Sequence, residues 1–254
     1  MAKSKVIPFS KIKKIDIINV KGGITANEVM KKYKPDIIVN LALYDVKTGT
    51  NITYLKDDGE KSGSYFSYDG IGIKNSKDMV WCTKDEAFAD STVRDYISGS
   101  PVIIKNGKPV KEWGNKYSSY VDGKHVRTCI GFNDKNLILV ASDGATTLDN
   151  MANHCLSYSP KYMINCDGGG STHLQYKNEV LARSTRANVS WLLVYLFPEN
   201  GTLKTIYDVN VNFKGEVLSG AVIDGTTQLP VRKICEMLGL KVDFKNNEVY
   251  ITQK

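Results

Sequence analysis

The sequence predicts an α+β protein: a main domain over residues 1–200 built on a mixed β-sheet with few helices, then a small ββαββ unit over residues 208–254. Three observations carry this expectation. Short apolar runs rich in Val, Ile and Tyr outnumber segments with helical spacing. Two helix–strand units interrupt an order otherwise made of hairpins, which fits a mixed sheet better than a doubly wound one. Pro198-Glu199-Asn200-Gly201 breaks the pattern after the last long apolar run. The larger part is long enough to bury a sizeable core. The smaller stands near the lower limit for independent folding and is expected to pack on a partner or on the main domain.

Residues 12–20 carry Ile15, Ile17 and Ile18 and read as a strand closed by Gly22-Gly23. Thr25-Ala26-Asn27-Glu28 fits a capping box, with Val29, Met30 and Tyr33 as the apolar face of the helix behind it. Pro35 ends that helix, and residues 36–40 form a strand with Asn40 at its C-terminal end. Residues 52–55 and 64–68 read as strands about the Asp58-Gly59 turn, residues 79–82 as another, and residues 85–96 as a helix. Residues 102–110 read as a hairpin on Asn106-Gly107, and residues 126–132 and 137–141 as a strand pair. Thr146-Thr147-Leu148-Asp149 is a looser capping box before a helix through Met151 and Leu156, followed by Pro160 and a strand over 161–165. Residues 191–197 are almost continuously apolar, which marks a central strand. In the tail, residues 209–213 and 220–223 read as strands, 230–238 as a helix, and 241–244 with 248–251 as a terminal hairpin. The order Thr, helix, Pro, apolar strand, Asn occurs twice, with equal spacing from Pro35 to Asn40 and from Pro160 to Asn165. An internal duplication and a chance likeness of two helix–strand units would both give it.

Composition narrows the function classes. The net charge of +7 is held by residues 1–34, where nine Lys face only Asp16 and Glu28. A lysine-rich start without arginines or interleaved aromatics reads as a solvated face, so nucleic acid is not an expected partner. No apolar run reaches membrane-spanning length, so no membrane partner is expected either. The five cysteines are odd in number and widely spaced, and the three histidines are scattered. Neither a metal site nor a disulfide framework is indicated, and no cofactor is expected. The N-terminus lacks an apolar leader, which suggests a cytoplasmic protein as synthesised, released or virion-associated if phage-encoded.

The stretch that organises the chain is Tyr162 to His173, an apolar run ending in Asn165 and Asp167 and then breaking into Gly168-Gly169-Gly170-Ser171-Thr172. A strand-end carboxylate beside glycines and hydroxyls suits chemistry, and a tight turn with a capping Asp would look the same. Other residues join it. Arg127 sits in an otherwise apolar strand, where an arginine is either paired or binds an anion. Asp143 ends a strand, Asn40 ends another, and Arg183 and Arg186 precede the last one. Carboxylates suit glycosyl chemistry and arginines suit phosphate, so a substrate holding both would use both.

In order and spacing these residues resemble the phosphodiester glycosidase family. The resemblance rests on Asn40 to Tyr44, Gly99-Ser100-Pro101, Arg127-Thr128-Cys129-Ile130-Gly131, Asp143-Gly144, Asp167 to Thr172, and Arg186, across residues 20–197. It departs at Leu41-Ala42-Leu43-Tyr44, which lacks the family's small residues and Phe, and at Thr172-His173, where Ser-Thr is common. These departures bear on substrate identity more than on reaction class. The resemblance implies a hydrolase cutting the glycosidic C–O bond of a sugar-1-phosphodiester, such as a GlcNAc-1-phosphodiester, a wall polymer or a nucleotide sugar. Asp167 would act as nucleophile or general base, Asp143 as second carboxylate, and Arg127 and Arg186 would hold phosphate. Asn40, Asn165, Ser171 and Thr172 would meet sugar or phosphate oxygens, and the N–H groups of Gly168, Gly169 and Gly170 would cradle the anion. The alternative is a non-catalytic module binding a glycosyl phosphate or nucleotide. Gly225 to Arg232, Met237-Leu238-Gly239 and the terminal hairpin are similar to the stalk-like N-terminal domain of copper amine oxidases. That likeness implies attachment or oligomer assembly through residues 208–254.

Overall fold

The computed structural model describes residues 2–64, 69–111, 123–198, 207–213, 216–223, 226–228, 231–245 and 248–253. The chain forms two compact units, Met1–Leu196 and Phe197–Lys254. Part of the strand expected over 64–68 lies outside the described residues.

Three sheets build the first unit. One has the order β17 (Glu179–Ala182), β16 (Leu174–Tyr176), β3 (Ile37–Asn40), β18 (Asn188–Leu196), β2 (Ile12–Ile24). The second has the order β1 (Ala2–Pro8), β14 (Asn136–Ser142), β13 (Thr128–Phe132), β15 (Tyr162–Asn165), β11 (Val102–Lys105), β12 (Lys108–Pro109). The third has the order β7 (Glu60–Ser62), β6 (Leu55–Asp57), β10 (Asp95–Ser98), β8 (Asp69–Lys74), β9 (Asp78–Thr83). A two-residue ribbon, β4 (Tyr44–Asp45) with β5 (Thr50–Asn51), stands apart.

Period-two alternation decides what each sheet buries. Ile37 and Val39, Leu192 and Val194, Leu137 and Leu139, Ile130 and Ile164, and Ile71 and Ile97 point into one shared core. The opposite face of each sheet is covered by one helix. Helix α1 (Ala26–Tyr33) packs Ala26 and Val29 on Ile38, Trp191 and Leu193. Helix α2 (Lys84–Ala89) packs Ala87 beside Val93 and Tyr96. Helix α3 (Leu148–Cys155) packs Met151, Ala152 and Cys155 on Cys129, Ile138, Val140 and Met163.

The α+β class stands, but every pairing between described strands is antiparallel rather than mixed. The two helix–strand units explain the difference. Helix α1 links β2 to β3, which run in one direction, and β18 lies between them antiparallel to both. Helix α3 links β14 to β15 in the same way, with β13 between them. Each unit is thus a crossover split by an inserted strand. Each also continues outward through a hairpin, β16–β17 beside β3 and β11–β12 beside β15. The repeated sequence order corresponds to two topologically equivalent halves, with Asn40 and Asn165 at equivalent strand ends.

Local signals fare unevenly. The capping box at Thr25 forms as expected, with Glu28 N–H on the Thr25 hydroxyl at 3.3 Å and Thr25 N–H on the Glu28 carboxylate at 2.9 Å. Strand β2 does not stop at the glycines. Residues 20–23 bulge opposite Val189, with Gly22 and Gly23 at φ +82° and +83°. The second cap is Thr147 rather than Thr146, accepting the Asn150 N–H at 3.2 Å. The helix expected over 85–96 ends at Ala89, because the Asp90 carboxylate captures the Thr92 N–H at 2.8 Å and turns the chain into β10.

The glycine of the Arg-Thr-Cys-Ile-Gly stretch has a steric reason. A Cβ on Gly131 would lie 2.5 Å from the Tyr162 carbonyl oxygen on β15. Gly131→Ala must therefore push β13 off β15, and it is expected to lower stability by about 1–3 kcal/mol. Urea unfolding followed by tryptophan fluorescence measures this.

The second unit has β19 (Tyr207–Phe213), β20 (Glu216–Ile223) and β21 (Thr226–Gln228) in one sheet, α4 (Val231–Met237), and a hairpin of β22 (Leu240–Lys245) and β23 (Glu248–Gln253). Strand β21 adds to the expected ββαββ pattern. Gly239, at φ +77°, follows the helix as the sequence indicates.

Candidate active site

The ends of the two equivalent strands, β3 and β15, meet. The Asp167 N–H donates to the Leu41 carbonyl at 2.8 Å, and the Asn40 side-chain amide donates to the Asp167 carbonyl at 2.8 Å. The Asn40 side-chain oxygen accepts from the Thr128 hydroxyl at 2.9 Å and from the His173 N–H at 2.8 Å. Asn40 is 1% exposed. It thus joins β3, β13 and both flanks of the glycine stretch, where the sequence reading had it meeting substrate. Asn40→Ala leaves three buried groups without their partner. It is expected to cost about 2–5 kcal/mol, read as a fall in the urea midpoint.

Asn165 is also buried. Its amide nitrogen donates to the carbonyls of Ser100 and Cys166, and its side-chain oxygen has no hydrogen-bond partner among the described residues. The Thr172 hydroxyl is likewise buried without a hydrogen-bond partner.

The glycines shape the turn, and two of the three N–H groups expected to cradle an anion are bonded within the protein. Gly168 donates its N–H to the Asp167 carboxylate itself at 2.9 Å, and Gly169 donates to the Val126 carbonyl at 2.8 Å. Both donors are thereby turned inward. Gly169 takes φ +56°, and a Cβ on Gly170 would meet the Thr185 hydroxyl at 3.0 Å. That close approach lets the loop carrying Arg186 lie on the glycine turn, where the Thr185 N–H donates to the Gly170 carbonyl at 2.9 Å.

Arg186 is held in a fixed pose. Its Nε and Nη2 both donate to the Ser171 hydroxyl, at 2.9 and 2.7 Å, and Nη2 lies 3.9 Å from Asp167 Oδ2. The guanidinium sits 5.6 Å over the Tyr44 ring, whose hydroxyl donates to the Ala187 carbonyl at 2.7 Å. Asn188 donates to the Ser171 carbonyl at 3.0 Å. The Asp167 side chain is 3% exposed and that of Arg186 is 37% exposed. The arginine is therefore the solvent-facing member of the pair. Its charge and the Gly168 N–H are both complementary to a negative carboxylate.

Arg127 flanks the same turn, between the contacts Gly169 N–H to Val126 carbonyl and Cys166 N–H to Thr128 carbonyl, each 2.8 Å. Two of its guanidinium nitrogens meet backbone carbonyls. Nη2 donates to the Gly123 carbonyl at 2.7 Å and Nε to the Thr146 carbonyl at 3.4 Å, and the residue is fully buried. Asp143, expected as a second carboxylate, shares no hollow with Asp167. It is exposed, lining a hollow of about 270 Å³ with Thr146, Asn150 and His154, and none of Asp167, Arg186 or Asn40 lines that hollow. Arg183 is exposed. Among the described residues no group of three or more His, Cys, Asp or Glu is placed to hold a metal ion.

Tyr44, Asn188 and His173 complete the site and were not read from sequence as parts of it. Tyr44 stands four residues after Asn40, the spacing at which the family pattern carries Phe, so position alone could have pointed to it. Asn188 had no signal beyond preceding an apolar strand.

The candidate site thus sets a buried carboxylate 3.9 Å from an arginine, with hydroxyls and an amide alongside. The chain belongs to the phosphodiester glycosidase family, whose sequence profile matches residues 33–194. No curated protein matches it in sequence. Among solved structures it is similar to the catalytic domain of zebrafish N-acetylglucosamine-1-phosphodiester α-N-acetylglucosaminidase, auto-inhibited by its pro-peptide. There the identity is 18%, with 76% of this chain and 83% of that one covered and a TM-score of 0.60. A hypothetical protein from Synechocystis shares 13% identity over 77% of this chain and 59% of that one, with a TM-score of 0.56. A Burkholderia pseudomallei protein shares 9% over 76% and 73%, with a TM-score of 0.51. At these identities the likenesses concern the fold.

Proposed function

We propose that the chain hydrolyses the glycosidic C–O bond of a sugar-1-phosphodiester. The observation that carries this is the Asp167–Arg186 pair, a buried carboxylate beside a half-exposed guanidinium fixed by Ser171 and Tyr44. Arg186 would take the phosphate from the solvent side, placing the anomeric carbon toward Asp167. Asp167 would attack that carbon, or take a proton from the attacking water. The bond between the anomeric carbon and the bridging oxygen breaks, and its electron pair leaves on the phosphate. Water supplies the new oxygen on the sugar, so the products are the free sugar and a phosphomonoester. A phosphate leaves more readily than an alkoxide, so the arginine charge lessens the need for a general acid. That lowers the demand on a second carboxylate, and Asp143 is exposed.

The buried, unpartnered oxygens of Asn165 and Thr172 suit hydrogen bonds to sugar hydroxyls. For residues 208–254 we propose an attachment role, with a wall polymer or a second copy as partner. The experiment is mass spectrometry of products from a panel of glycosyl-1-phosphodiesters. Free sugar plus phosphomonoester from at least one of them supports the proposal. Tight binding with no product on any member would favour a binding module.

A further inference from the structure

We propose, resting on the function above, that His173 is a positioning residue that holds Arg186 through the Ser184 N–H and does so only while its ring is neutral. His173 is 1% exposed, edge-on to Trp191 with ring centroids 5.4 Å apart. Its Nδ1 accepts the Ser184 N–H at 3.2 Å, and its Nε2 lies 3.4 Å from the Gln175 side-chain oxygen. The Gln175 amide nitrogen in turn donates to the Lys177 carbonyl at 2.8 Å, which turns its oxygen toward the ring. A backbone N–H can only donate, so Nδ1 must be the acceptor and the ring proton must sit on Nε2. This tautomer satisfies every contact in the series. A second proton on Nδ1 would set two donors face to face and expel Ser184.

Ser184 lies two residues before Arg186. With Thr185 on Gly170 and Asn188 on Ser171, it fixes the path of the loop that aims the guanidinium. The groups packed on the ring are Gln175 from β16 and Trp191 from β18, both neutral; the charge that acts on it is that of exposed Arg183, on the same loop as Ser184. Burial pushes the ring's pKa down, to about 4; the Gln175 contact opposes this and Arg183 adds to it. The unfolded chain binds this proton from about pH 6.5 downward, whereas the folded chain resists it until about pH 4. Stability from this group is therefore complete above the unfolded value and is lost as pH falls through that window.

The test uses the full chain with His173→Phe, which keeps the ring against Trp191, and His173→Asn, whose side-chain oxygen can replace Nδ1. His173→Phe is expected to lower kcat/KM on a glycosyl-1-phosphodiester by about 10- to 100-fold and to speed amide exchange at Ser184 and Thr185. His173→Asn should restore both to near wild type. Combined with Arg186→Ala, His173→Phe should cause no further loss, because it acts through that arginine. Losses that add in the double variant, or wild-type exchange at Ser184 in His173→Phe, would overturn the proposal. Should His173→Phe fail to fold, the wild type decides. Its Ser184 amide should lose protection as pH falls toward 4, and unchanged protection there refutes the mechanism. Exchange needs no turnover, so it decides the role of His173 even if no phosphodiester is cleaved, an outcome that would count against the proposed activity instead.

Discussion

Asp167→Asn is expected to reduce kcat/KM on a cleavable glycosyl-1-phosphodiester by at least about 10³-fold, with the melting temperature little changed. The substitution is nearly isosteric, and the amide oxygen can still accept the Gly168 N–H that the carboxylate accepts at 2.9 Å. It removes only the charge facing Arg186 and the lone pairs that would attack carbon or take a proton. Steady-state kinetics beside thermal unfolding separate these outcomes. A variant that unfolds early says nothing of catalysis, whereas a folded variant with full turnover removes Asp167 from the chemistry.

Arg186→Lys is the second large effect, expected at about 10² or more in kcat/KM. The guanidinium reaches Ser171 Oγ with two nitrogens, approaches Asp167 with one of them, and sits 5.6 Å over the Tyr44 ring. A lysine ammonium carries the charge but has neither the fork nor the plane. Arg186→Ala should cost more and raise KM for the phosphodiester. On an uncharged aryl glycoside of the same sugar its penalty should nearly vanish, because that substrate offers no phosphate. An equal penalty on both substrates would assign Arg186 to holding Asp167 rather than to binding phosphate.

Much of the scaffold was legible because it is local. Thr25 and Glu28 are three residues apart and form the box their spacing implies. Asn106-Gly107 turns the β11–β12 hairpin with both residues at positive φ. The repeated order ending in Asn40 and Asn165 marked two equivalent strand ends, and Asp167 was found from its place after one of them. What was not legible depends on partners distant in sequence. Asn40 reads from sequence as a substrate contact because the partners that occupy its side chain, Asp167, Thr128 and His173, all lie far from it along the chain. Arg127 was assigned to phosphate because an arginine in an apolar strand must be satisfied somehow. Two of the carbonyls it meets, those of Gly123 and Thr146, reach it only when the chain folds. The uniformly antiparallel pairing was hidden for a similar reason. A helix crossover predicts neighbouring parallel strands, and nothing near α1 or α3 tells that β18 or β13 will enter between them.

The central claim is that Asp167 and Arg186 direct cleavage to the bond between the anomeric carbon and the phosphate oxygen. Hydrolysis of a glycosyl-1-phosphodiester in water enriched in the heavy oxygen isotope, with both products weighed by mass spectrometry, tests it most directly. The label is predicted in the released sugar and absent from the phosphomonoester. Label in the phosphomonoester instead would show attack at phosphorus and contradict the roles given to both residues.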